Sequence, residues 1–219
     1  MIEALRPLAE TAAAAVAYAS GRPGEFAQKL IEHLQLSGTA LLLAAIIAIP
    51  AGVWITRRPG AAQSVIGAFN SLRVVPSLAV LFMALPLLGL GFVPAVVALT
   101  LLACPPVLLN TYAGYRGVDP AAVEAAVGMG MSPRQVLRQV ETPLAAPVVL
   151  AGVRIAAVEV IASATLAAFI GAGGLGDYVY RGWAVNRVDI MLVGALPVAA
   201  LTLVAETFFV LVQRRVDVP

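Results

Sequence analysis

The chain has 219 residues, of which 61% are hydrophobic and 12% charged, and its mean hydropathy is +0.94. Soluble domains carry about 45–50% apolar and roughly 25% charged residues, so a soluble globule is excluded, and the length holds five or six membrane spans of about 20 residues. The formal net charge of +2 is too small for a nucleic-acid surface, and the single cysteine, Cys104, excludes an intrachain disulfide and reads as a small buried apolar residue.

Residues 12–20 are alanine-rich and end in Ala17-Tyr18-Ala19, which resembles a cleavage site. Glu3 offsets Arg6, and Pro7 and Glu10 interrupt the run, so an interfacial or short extramembrane helix is expected rather than a signal peptide. Residues 25–36 alternate Phe26, Leu30, Ile31 and Leu34 with Gln28, Lys29 and Glu32, the pattern of an amphipathic helix lying on the bilayer before the chain turns in. His33, without a second ligand-type neighbour, reads as an interfacial residue. The first span is expected over 34–56, with Ala44, Ala48 and Gly52 forming a small-residue stripe for close helix packing. A second, over 65–88, is broken by Pro76 and Pro86; a third covers 92–112, with Pro105-Pro106 near its end.

Residues 118–143 are polar by comparison and hold three helix-start signals, Asp119-Pro120, Ser132-Pro133 and Thr142-Pro143, each a capping residue before a proline at the first helical position. Ser132 and Gln135 have capping-box spacing, and Gly128 and Gly130 fall where the first short helix must end. A helical hairpin is therefore expected here. The fourth span runs over 143–170 and the fifth over 190–212. The chain thus divides into an N-terminal extramembrane or interfacial segment, 1–33, a transmembrane domain, 34–212, and a tail, 213–219. Arg57, Arg58, Arg116, Arg134, Arg138, Arg214 and Arg215 fall on one side of these spans, which puts the hairpin and C-terminus in the cytoplasm and the N-terminus outside.

Arg73, Arg154, Glu159 and Glu206 lie in or near spans, where an ionisable group is a functional candidate by default, although fixed interhelical pairing is its commoner role. Arg154 and Glu159 are about 140° apart on one helix and do not simply pair. Glu159 is the best candidate for lining a polar path, together with Asn110 and Pro76. Gly171-Ala-Gly173-Gly174-Leu-Gly176 satisfies G-x-G-x-x-G, but a dinucleotide site needs a strand before it, and here a membrane helix precedes it. Gly171, Gly173, Gly174 and Gly176 read instead as an outer hinge. Tyr178, Tyr180 and Trp183 in the following loop fit an interfacial aromatic belt, or less ordinarily a cage for a quaternary ammonium ion. Lys29 is the only lysine and no P-loop surrounds it, so this chain encodes no P-loop ATPase; no nucleophile–base pair or metal-ligand cluster stands out, and no catalytic or metal residue is expected.

The hairpin resembles a known element. Glu124-Ala125-Ala126, Gly130, Val140, Thr142 and Pro143 match the spacing of the EAA signature of bacterial ABC importer permeases, E-A-A-x3-G-x9-I-x-L-P, with Val140 and Thr142 in place of its Ile and Leu. The resemblance implies an all-α membrane protein, a type I ABC importer transmembrane domain of the methionine-permease kind with about five core helices. It implies ATPase coupling at Glu124, Ala125, Ala126, Gly130, Val140 and Pro143. It also implies two cytoplasmic ABC ATPases that use ATP and Mg, a second permease subunit (identical or paralogous), and an extracytoplasmic solute-binding protein, all at the bacterial inner membrane, with no cofactor on this chain. Glu32-His-Leu-Gln-Leu36, Val75-Pro-Ser-Leu-Ala79, Asn110-Thr-Tyr-Ala-Gly114, Val118-Asp-Pro120 and Ile170-Gly-Ala-Gly-Gly-Leu-Gly-Asp177 are similar to the osmoprotectant branch, which imports glycine betaine, choline, carnitine or related quaternary ammonium compounds. A methionine or other small-nutrient permease is the alternative; a stand-alone secondary transporter is a further one, against which the lack of an evident inverted repeat counts.

Overall fold

The computed structural model describes residues 2–216, and among them every regular element is helical. In chain order these are α1 (Ile2–Ser20), α2 (Pro23–Thr56), α3 (Pro59–Leu72), α4 (Ser77–Leu88), α5 (Phe92–Arg116), α6 (Pro120–Gly128), α7 (Pro133–Val136), α8 (Thr142–Ser163), α9 (Gly176–Ala184) and α10 (Val188–Val216). A π turn, Leu137–Glu141, joins α7 to α8, and a 3-10 segment, Ala164–Ile170, prolongs α8. Helix satisfies the backbone within one segment, which hydrocarbon demands.

Four stretches are long and apolar enough to cross a membrane, Pro23–Thr56, Phe92–Arg116, Pro133–Ile170 and Val188–Val216, and α3 with α4 adds a fifth only as a bent pair. That agrees with about five core helices. α5 is the most enclosed: 72% of its apolar window is buried, against 22–28% in the other three. Those others turn large apolar side chains outward, among them Leu42, Ile46 and Ile47 on α2 and Leu203, Val204 and Phe208 on α10, a face suited to lipid.

The helices form two compact units. One comprises residues up to Ala40, Pro76–Leu99 and Glu159–Val204. Its core joins Ala15 of α1 to Leu175, Tyr178, Ile190, Val193 and Val198. The other comprises Leu41–Val75, Thr100–Val158 and residues from Ala205 on. Here Ala44 and Ala48 are fully buried, and a Cβ on Gly52 would fall 2.7 Å from that of Thr111. A Cβ on Gly152 would fall 2.5 Å from that of Asn110. The backbones of α2 and α8 therefore both approach α5 closely, through the small residues expected on α2.

Several expected boundaries are corrected. The amphipathic segment 25–36 and the first span are one 34-residue helix; no proline falls between Pro23 and Pro50 to end it. His33 is fully buried within the protein rather than on its surface: its Nε2 lies 3.0 Å from the Ile161 carbonyl. The break in the second span falls at residues 73–76, whereas Pro86 sits within α4 near its end. Thr142 caps no new helix. The chain runs through it in α conformation, because the π turn absorbs the N–H that Pro143 lacks: the Thr142 N–H and its hydroxyl both reach the Leu137 carbonyl, the hydroxyl at 2.6 Å. The loop expected after the glycine run contains α9. α10 continues past 212 through Arg214 and Arg215 to Val216, and the last three residues of the expected tail lie outside the described residues.

Candidate functional site

The hairpin forms as its capping residues require. Asp119 precedes Pro120, and its Oδ1 accepts from the Ala121 N–H at 2.9 Å; Gln135 Oε1 reaches back to the Ser132 N–H at 2.8 Å. α6 ends in a turn that only glycine adopts freely. Gly130 has φ +84°, and beyond it the Met131 N–H closes onto the Ala126 carbonyl at 3.1 Å.

The six expected coupling residues take distinct positions. Ala126 is buried and anchors α6, Ala125 and Pro143 are exposed, and Val140 is half-buried in the π turn. Glu124 is exposed and lines a cavity of about 350 Å³ shared with Arg57, Tyr115, Arg116 and Glu141. The turn beside Gly130 presents Val127 and Met129, 59% and 77% exposed, an apolar tip between charged flanks.

The hairpin root is tied by two contacts that the sequence reading missed. Arg57 Nη2 meets Glu141 Oε2 at 2.6 Å, and the Tyr115 and Thr142 hydroxyls lie 2.8 Å apart. Arg57 is about half exposed, so its ion pair contributes at most roughly 1 kcal/mol. Replacing Thr142 with valine keeps the volume and removes both hydroxyl contacts. The expected cost is about 1–2 kcal/mol, a melting temperature lower by a few degrees in thermal unfolding of the purified protein; an unchanged value would show these bonds to be energetically idle.

The candidate path residues lie as follows. Pro76 is exposed at the N-cap of α4. The Asn110 amide donates to the Pro106 carbonyl of its own helix at 2.8 Å, and Gly152 packs against its Cβ. Glu159 is half-buried on α8, one turn before Ser163. Ser163, Thr165 and Thr202 border a cavity of about 750 Å³. Arg154 meets Glu206 of α10, Nε to Oε1 at 3.6 Å.

In the glycine run, Gly171, Gly173 and Gly174 have φ of +73°, +80° and +83°. Gly176 is different in kind: it starts α9 with its Cα against the Thr165 carbonyl. Around this turn the head of α2 builds a polar cluster. Glu32 Oε2 accepts from the Gly174 N–H at 2.9 Å and from Lys29 at 2.8 Å. Lys29 also meets Asp177 at 2.6 Å, and Arg181 meets Glu25 at 2.6 Å. The bond to Glu25 raises the Arg181 pKa further, and burial pushes the Tyr178 hydroxyl up, so both stay protonated. The three aromatics do not form one cage. Tyr178 is buried against Tyr18 and Phe26, whereas Tyr180 and Trp183 lie on the other side of α9, as the 100° step of a helix dictates.

The family of binding-protein-dependent transport system inner membrane components matches residues 40–218. The chain belongs to that family. It is similar to the choline transport system permease protein OpuBB of Bacillus subtilis (strain 168), 43% identical over 192 residues, 88% of each chain. It is also similar to the carnitine transport permease protein OpuCB of Listeria monocytogenes, 47% identical over 175 residues, 80% of each. In fold it resembles a chain of the MetNI methionine ABC transporter in an inward-facing conformation, with a TM-score of 0.80 over 89% of this chain and 97% of that one at 22% identity. An amino acid ABC transporter gives a TM-score of 0.72 at 21% identity, over 91% of this chain and 97% of that one. The type I importer fold read from the sequence is thus the fold found. As an inner membrane transport component the chain is a multi-pass permease, and its hairpin falls wholly inside the segment the family matches.

Proposed function

We propose that this chain is the permease subunit of an ATP-driven importer of quaternary ammonium osmoprotectants, of the glycine betaine, choline and carnitine class. The observation that carries the reading is the identity of 43% and 47% to choline and carnitine permeases, over four-fifths or more of each chain. Two permease subunits, identical or paralogous, enclose the path; two cytoplasmic ATPases hold the hairpins and use ATP and Mg; an extracytoplasmic binding protein delivers cargo.

In this reading the N-terminus is outside, the hairpin and C-terminus are cytoplasmic, and residues 34–212 form the membrane domain between the segment 1–33 and the tail 213–219. The coupling surface is Glu124, Ala125, Ala126, Gly130, Val140 and Pro143, supported by the exposed Val127 and Met129 beside them. Glu159, Asn110 and Pro76 line the path, and the turn from Gly171 to Gly176 is its outer hinge. Nucleotide-driven closure of the ATPases moves the hairpins, and contacts that differ between the inward and outward states transmit that movement to the spans. A trimethylammonium head carries a permanent charge, so discrimination falls largely to the binding protein.

The test is uptake of labelled choline into proteoliposomes containing the assembled complex. Competition by betaine and carnitine, with none by methionine, is expected. Competition by methionine alone would overturn the cargo assignment, and uptake by the permease without ATPase would overturn the ATP-driven mechanism.

A further inference from the structure

The head of α2 lies before residue 40, outside the segment that the family matches, yet its side chains are tied to the glycine turn and to α9 by hydrogen bonds and ion pairs. We propose that Lys29 and Glu32 are positioning residues forming a latch on the glycine turn, and that this latch opens and closes once in each transport cycle. The inference rests on the permease reading above but not on its cargo.

Three observations converge on it. The turn from Gly171 to Gly174 contains three glycines in the left-handed region, so its own backbone restrains it weakly. The restraint comes from elsewhere: the Glu32 carboxylate holds the Gly174 N–H, and Lys29 bridges Glu32 to Asp177 at the start of α9. These three side chains are only 15–26% exposed, which strengthens each bond beyond that of a solvated pair. The fit is also close. A Cβ on Gly173 would fall 2.4 Å from Glu32 Oε2, and one on Gly174 would fall 3.4 Å from His33 Cβ.

The closed arrangement also carries a built-in cost. His33 is fully buried beside Gly174 and uses Nε2 on the Ile161 carbonyl, while its Nδ1 has no hydrogen-bond partner. A buried unpaired acceptor disfavours the state that contains it. A contact that is tight, electrostatic and penalised at its centre is suited to release. Glu25 with Arg181 forms a second tie between the same two elements, leaving α9 attached when the first opens.

The experiment uses the whole complex in proteoliposomes. His33→Cys with Gly174→Cys, in a Cys104→Ser background, places two Cβ atoms near the separation a disulfide requires. Oxidation is expected to arrest uptake and binding-protein-stimulated ATP hydrolysis roughly ten-fold, and reductant to restore both in the same sample, which a defect of folding would not do. Wild-type turnover with the disulfide formed would overturn the latch. Glu32→Gln decides independently of the dicysteine variant. Its weaker acceptor is expected to raise ATP hydrolysis without binding protein several-fold, and unchanged hydrolysis overturns the proposal. If the wild-type complex fails to import quaternary ammonium compounds but the reversible arrest of hydrolysis persists, the cargo reading fails and the latch stands.

Discussion

Glu124→Lys is expected to reduce ATP-driven uptake by roughly ten-fold or more, the consequence of about 1.4 kcal/mol lost from the docked state. Glu124 lines the cavity that also holds Arg57 and Arg116, so reversing its charge adds a third cation to that exposed, solvent-screened surface and inverts what it presents to a docking partner. Gly130→Val should act in the same direction by another route. Space is open around Gly130, but its φ of +84° is hostile to a β-branched residue, so the turn that presents Val127 and Met129 must rearrange. Both changes lie on an exposed hairpin, so melting temperature should move little while uptake and stimulated ATP hydrolysis fall together. Wild-type uptake in both variants would remove the hairpin from the coupling mechanism.

The hairpin was legible because its signals are local. Asp119, Ser132 and Gly130 each specify a cap or a turn within a few residues, and each forms as expected. Thr142 carried the same cap-before-proline signature and misled. The signature does not say whether the preceding helix has ended, and a π turn let it continue. The spans were legible in number from hydropathy, yet α2 exceeded its expected length because apolar patterning marks where lipid begins rather than where a helix starts. The contacts left unread are those whose partners lie far apart in sequence. Nothing local in Lys29, Glu32 or His33 points to Asp177, Gly174 or Ile161, so an amphipathic surface helix was the natural reading of a segment that packs on another. The same limit hid Arg57 with Glu141, since Arg57 is informative in sequence only as a topology marker.

Gly176→Val tests whether the four glycines of the run share one role. A helix start needs no glycine, and Gly176 lacks the positive φ of Gly171, Gly173 and Gly174. What it needs is room: a Cβ would fall 2.0 Å from the Thr165 carbonyl oxygen, which is backbone and moves only with the whole 3-10 segment. Overpacking of that kind should cost about 3 kcal/mol or more, a fall in melting temperature of roughly 6–12 °C for a chain of this size. The unit built on Leu175, Tyr178, Ile190 and Val193 loses the seating of α9, so loss of folded protein should precede any transport phenotype. Gly67→Ala is the matched control, because Gly67 is helical with nothing within 4 Å of an added Cβ; it should be neutral, or stabilising by about 0.5–1 kcal/mol. If Gly176→Val melts with the wild type, the close contact between α9 and the 3-10 segment is not a determinant of stability, and Gly176 belongs with the flexible turn after all. If it falls as expected, the flexible part of the turn ends at Gly174, the last glycine with a positive φ and the residue whose N–H Glu32 holds.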